Sequence, residues 1–174
     1  MPGASVRHPL TMKLATRLAL AIFMAATLTS RADDGIDADA RRVASRFVQL
    51  TGSEDNALAL VLALRHGSAV QLVQPDAEAG ALPETASVEI PTGPMPWNDV
   101  RIALLHAQDV LLRVGLTRPT PSAVQAALLG GEVMGADGNR TALRGVLQMR
   151  VDGMSWVDIA RVTSPSAPPA FLGR

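Results

Sequence analysis

Pro91 to Val162 reads PTGPMPWNDVRIALLHAQDVLLRVGLTRPTPSAVQAALLGGEVMGADGNRTALRGVLQMRVDGMSWVDIARV, and its punctuation and periodicity decide the fold. Pro91, Pro94 and Pro96 form a stiff lead-in that cannot join a helix interior. Behind it, Asn98 to Val114 repeats apolar residues at helical spacing and stops at Gly115, which predicts the longest helix of the chain. Thr120-Pro121 is an N-cap followed by proline at the first helical position, opening the helix SAVQAALL that closes at Gly130-Gly131. In GEVMGADGNRTAL, Asp137-Gly138 is a type I′ turn signal and predicts a β-hairpin. Two last helices follow, Ala142 to Val151 and Ser155 to Val162, parted by Asp152-Gly153-Met154; Ser155 with Asp158 makes a reduced capping box.

Upstream the same grammar continues. Val43, Phe47 and Leu50 sit at helical spacing within Ala40 to Leu50, and Thr51-Gly52 stops that helix. Ser53, with Glu54 and Asp55 behind it, caps NALALVLALRH, which is apolar almost all round, ends at Gly67 and is expected to be buried. Ala69 to Gln74 and Ser87 to Ile90 alternate with β-branched residues and are expected to pair as an antiparallel ribbon. The fold class is therefore mainly α: one small helical domain over residues 33–163, with about six helices and one or two short β-hairpins.

Met12 to Ala32 has the three-part pattern of a secretory signal peptide: Lys13 and Arg17, an apolar run from Leu18 to Leu28, then Ser30-Arg31-Ala32 as a small-x-small cleavage site. The run is too short to span a bilayer, so no membrane span is expected after cleavage. Residues 1–32 are read as this signal, with Met12 as a possible true start, and residues 164–174, rich in proline, as a flexible tail.

Composition removes several function classes. There is no cysteine, which excludes disulfides, thiolate catalysis and zinc sites built on Cys. Arg7, Lys13, Arg17 and Arg31 are the only basic residues before Asp33 and no acid precedes it, so the body sets the remaining 12 arginines against all 16 acids, about −4. That balance repels phosphate backbones and anionic lipid heads, and no nucleic-acid partner is expected. Only 3% of residues are aromatic and none is Tyr, too few for stacking platforms.

The combination PTGPM, VRIALLHAQ, RPTPSAVQAALLGG and GVLQMRVDGMSWVDIA resembles the motif of an uncharacterised group of exported proteobacterial proteins: PTG-M, IAL-x-x-AQ, PTP, AAL-x-GG and GVL-x-x-R-x-x-GM-x-W-x-x-IA. The resemblance spans Pro91 to Ala160 and implies an exported helical protein in the periplasm or secreted beyond it. It carries no activity and no functional residue across.

Candidate sites follow from the central helix. Val100, Ala103, Leu104, Ala107, Val110, Leu111 and Val114 share one arc, the core face. Ile102, Leu105 and Leu112 form a narrower stripe opposite. Such a helix is either sandwiched inside the domain, the favoured reading, or offers its second stripe to a protein partner. Asp99, His106, Asp109 and Arg113 lie along one flank, where a carboxylate beside a histidine is a way to orient a base or hold a metal. The plainer expectation is a solvated face with an Asp109–Arg113 ion pair. His66 precedes Gly67, where a cation suits the helix C-terminus, and His66 with His106 is the one conceivable two-histidine metal pair.

Glu132, after Gly130-Gly131, is a weak catalytic candidate against the reading of a hairpin strand. Gly135 to Asn139 lacks the alternating acids of a calcium loop. Met134, Met149 and Met154 are expected to fill core gaps. Ala142 to Val162 resembles a helix-turn-helix in which Arg144 and Arg150 would meet phosphates, but its second helix bears the single cation Arg161. The leading functional expectation is a non-enzymatic binding or assembly module of the bacterial envelope with an unidentified protein partner. The alternatives are a small envelope enzyme acting on cell-wall material through Asp99, His106, Asp109 or Glu132, and a DNA binder should the N-terminal segment not be a signal. No metal site and no cofactor is expected.

Overall fold

The computed structural model describes residues 38–74 and 82–163. The segment read as a signal peptide, the first acids after it and the residues from 164 onward lie outside the described residues. The chain divides into Met1–Asp39, of which only residues 38 and 39 are described, and Ala40–Arg174, whose fold follows.

This unit is helix-rich. Among the described residues there are seven helices: α1 (residues 38–44), α2 (Val48–Thr51), α3 (Glu54–His66), α4 (Trp97–Arg113), α5 (Pro121–Leu129), α6 (Val146–Val151) and α7 (Trp156–Thr163). Two antiparallel two-stranded sheets complete it, β1 (Val70–Val73) with β2 (Thr85–Val88) and β3 (Gly131–Met134) with β4 (Arg140–Leu143). No helix of the described residues is long and apolar enough to cross a membrane.

α4 and α5 hold the centre. α4 packs on α3, α5, α6 and α7, while α5 meets α2, β2 and β3 as well. Most of the core face of α4 is buried as its periodicity requires: Val100, Ala103, Leu104 and Ala107 are fully covered and Leu111 nearly so, but Val110 and Val114, expected on the same arc, are only half-buried. Each fully buried leucine contributes roughly 1.5–3 kcal/mol of transfer free energy. Caps fall where the sequence puts them. Ser53 Oγ accepts from Asn56 N at 3.1 Å, Thr120 Oγ1 from Ala123 N at 3.4 Å, and Ser155 Oγ from Asp158 N at 3.2 Å.

Four local expectations are corrected. The helix expected over Ala40 to Leu50 breaks at residues 45–47, where Ser45 Oγ turns back to donate to Arg42 O and competes with the helical ladder. Val43, Phe47 and Leu50 are still all buried. The second strand of the first hairpin is Thr85–Val88, not Ser87 to Ile90, in a register that puts Ala86 and Val88 inward with Leu72.

The Asp137-Gly138 turn is not type I′, which needs positive φ at both central residues; here only Gly138 has it, at 78°. Instead Gly138 N donates to Gly135 O, Gly135 N to Asn139 O, and Asp137 Oδ1 accepts from Asn139 N. This five-residue loop is closed by an Asx turn, which satisfies the Asp137 carboxylate locally and holds its pKa below the usual range.

Ala142 and Leu143 belong to β4, and α6 starts only at Val146. Gly145 explains the delay. At φ 78° it presses against the end of α5, so that a Cβ there would lie 2.2 Å from Gly130 N and 2.3 Å from Leu129 C.

A buried polar clamp ties the N-terminal half together. Asn56, 6% exposed, donates through Nδ2 to Thr51 O at 2.9 Å and Val73 O at 2.7 Å, and its Oδ1 accepts from Val73 N at 3.2 Å. The side chain pairs with β1 as a neighbouring strand would, tying the hairpin to the α2–α3 corner. The proline lead-in is fixed similarly: Met95 N donates to Leu64 O, Arg65 Nη1 donates to Met95 O, and the Arg65 guanidinium lies 5.5 Å from the Trp97 ring centre.

Candidate functional site

The outward side of α4 departs from the sandwich reading. Leu105 and Leu112 are 49% and 48% exposed, and Ile102 is half-buried. The reason lies in the packing. α3, α5 and α6 cover the core face, α7 takes the adjacent flank, and no described element lies over the two leucines.

That flank is not simply solvated. The His106 ring stacks on Trp156 of α7 with centres 6.1 Å apart and planes at 21°, and its Nδ1 lies 3.5 Å from Thr163 Oγ1. The Arg150 guanidinium sits 4.6 Å from the Trp156 ring centre, and its Nη1 donates to Met154 O at 2.6 Å. Histidine, tryptophan and arginine therefore bind α4, α7 and α6 into one corner. Burial disfavours the charged imidazolium and pushes the His106 pKa below its ordinary value, with the nearby Asp109 carboxylate acting weakly the other way. The Trp156 Nε1–H is buried with no acceptor among the described residues.

The remaining polar candidates do not join His106. Asp99 is half-buried about two turns away, while Asp109 and Arg113 are exposed. The expected Asp109–Arg113 ion pair is not formed among the described residues, because Arg113 lies along an apolar groove beside Val110 and Val114 instead. Glu132 is on β3, 3.7 Å from Arg140 across the hairpin, with both side chains well exposed. Among the described residues no three His, Asp or Glu side chains are grouped to hold a metal, and His66 and His106 sit on different helices. Of the methionines, Met149 is buried and Met154 packs on the core, but Met134 is 52% exposed and fills no gap.

The α6–α7 pair forms the expected αα-hairpin around Gly153. Arg150, which only the helix-turn-helix alternative would turn to phosphates, is spent on Trp156 and Met154, and Arg161 pairs with Asp158 at 2.9 Å. The exposed surface of α7 is led by Val157 and Val162. Two features escaped the sequence reading. One is the Trp156 corner, whose signal was an aromatic within one turn of an arginine-bearing helix. The other is the groove between the ends of α4 and α7, for which no sequence signal exists.

The chain matches no family model, no curated protein and no solved structure.

Proposed function

We propose that this chain is an exported, non-enzymatic binding or assembly module of the bacterial envelope that docks a partner helix on the outer face of α4. One observation carries the reading: an apolar stripe two turns long, with Leu105 and Leu112 half exposed, on the longest helix among the described residues. Single exposed leucines need no explanation, but a seam does. Ile102, Leu105, Asp109 and Leu112 follow one another at the 3-4-3 spacing of a two-helix seam, with Asp109 at a position where a polar group sets register. The partner is then an amphipathic helix that brings a cation to Asp109. Export rests on the Met12 to Ala32 pattern and on the resemblance to exported proteins.

The test is genetic and biochemical together. Leu105→Asp and Leu112→Asp alter exposed side chains, so stability should stay within about 0.5 kcal/mol of the parent. Affinity capture from the envelope fraction should lose with both variants the same protein that the parent retains. Identical capture by parent and variants refutes the seam, and recovery of the parent chain from the cytoplasm uncleaved refutes the export.

A further inference from the structure

An apolar groove of about 280 Å³ opens at the C-terminal end of α4, between it, β4, α6 and the end of α7. Val110, Val114, Met149 and Val162 supply its apolar walls, and Arg113 and Arg144 stand along it. Neither arginine has an ion pair or a side-chain hydrogen bond among the described residues. Among the described residues no acidic side chain lines the groove, in a body where acids outnumber arginines 16 to 12. A wall of valines beside two unengaged guanidiniums is complementary to a molecule with an apolar chain and an anionic head. The volume sits at the lower edge of small-ligand sites, roughly 300–1,000 Å³, which selects a short chain over a full lipid tail.

We propose that this groove binds a medium-chain carboxylate, its chain against Val110, Met149 and Val162 and its head held by Arg113 and Arg144. Guanidinium matches carboxylate geometry with paired N–H donors, so the head should discriminate charge as well as polarity. The site shares no lining residue with the outward leucine seam, whose Asp109 lies one turn before Arg113 on the neighbouring arc of α4.

Calorimetric titration of the full chain with hexanoate, octanoate and octyltrimethylammonium, each below its micellar concentration, tests the assignment. Octanoate should bind saturably at one site, about tenfold or more tighter than hexanoate, since each buried methylene is worth about fourfold. The trimethylammonium of equal chain length should bind at least tenfold more weakly. Arg113→Gln with Arg144→Gln, two exposed unpaired side chains, should keep the native circular dichroism spectrum and lose that preference. Leu105→Asp should leave octanoate binding unchanged, which separates this site from the helix seam. Equal affinity for the two head groups, non-saturable uptake, or an unchanged preference in the double glutamine variant overturns the proposal. So does saturable binding of a peptide of residues 164–174 with no response to octanoate, which would hand the groove to the chain's own continuation.

Discussion

Replacing Asn56 by alanine tests the clamp that holds the first hairpin. The substitution removes three hydrogen bonds at 2.7–3.2 Å and leaves Thr51 O, Val73 O and Val73 N without their partner. Thr51 is buried, so its carbonyl bears a desolvation penalty of roughly 1–3 kcal/mol. Val73 is 39% exposed, and water can replace its two bonds at a cost of about 0.5–1 kcal/mol each. The sum is about 2–5 kcal/mol, which for a body of this size lowers Tm by roughly 10 °C or more. Asn56→Asp should cost more, because it keeps the acceptor but sets a carboxylate against two carbonyl oxygens. Urea denaturation monitored by far-ultraviolet circular dichroism measures both. A change below about 0.5 kcal/mol for Asn56→Ala would refute the claim that this side chain ties β1 to the α2–α3 corner.

Other consequences follow from the same geometry. Gly145 and Gly138 share a φ of 78°, but a Cβ meets nothing within 4 Å at Gly138 and backbone at 2.2 Å at Gly145. Gly138→Ala should therefore cost about 1–2 kcal/mol, and Gly145→Ala more than about 3 kcal/mol or the fold itself; equal losses in urea midpoints would contradict the close approach. At Trp156, alanine should cost about 2–3 kcal/mol by dissolving the His106 and Arg150 contacts. Phenylalanine should cost less than about 1 kcal/mol, since the indole N–H has no acceptor among the described residues; a larger loss in thermal melts would reveal a bond to that N–H.

The folded chain also disfavours protonated His106, so the unfolded chain binds more protons below the unperturbed value of 6.5 and stability rises with pH. This contribution is complete above that value and is lost on acidification toward the lower folded pKa. Glu84, held below the usual carboxylate range chiefly by its hydrogen bond with Ser122, acts only in a more acidic window. His106→Gln should therefore flatten the fall in urea midpoint between pH 7.5 and 5.5. An equally steep fall in parent and variant would remove His106 as its cause.

Much of the fold was legible because it is written in local chemistry. The Ser53, Thr120 and Ser155 caps and the core arc of α4 from Val100 to Ala107 depend only on neighbours within a turn or on strict periodicity, and they stand as read. What failed depends on distant contacts. Ala142 and Leu143 fit a helical pattern, yet the crossing of Gly145 over Gly130 keeps them in β4. The clamp was hidden because one asparagine in an apolar helix announces no partner 17 residues away. Leu105 and Leu112 were assigned a stripe correctly, but whether another element covers a stripe is a matter of topology, and α7 fell on the His106 flank instead. The groove beside Arg113 joins five separate elements, so no spacing in the sequence encodes it.

The central claim, a helix seam on α4, is tested most directly by a photoreactive residue placed at position 105 in cells producing the full chain, with position 148 on exposed Gln148 as control. The account predicts one discrete envelope-fraction adduct from position 105, absent from position 148 and abolished by Leu112→Asp. No adduct from position 105, or the same adducts from both positions, would contradict it.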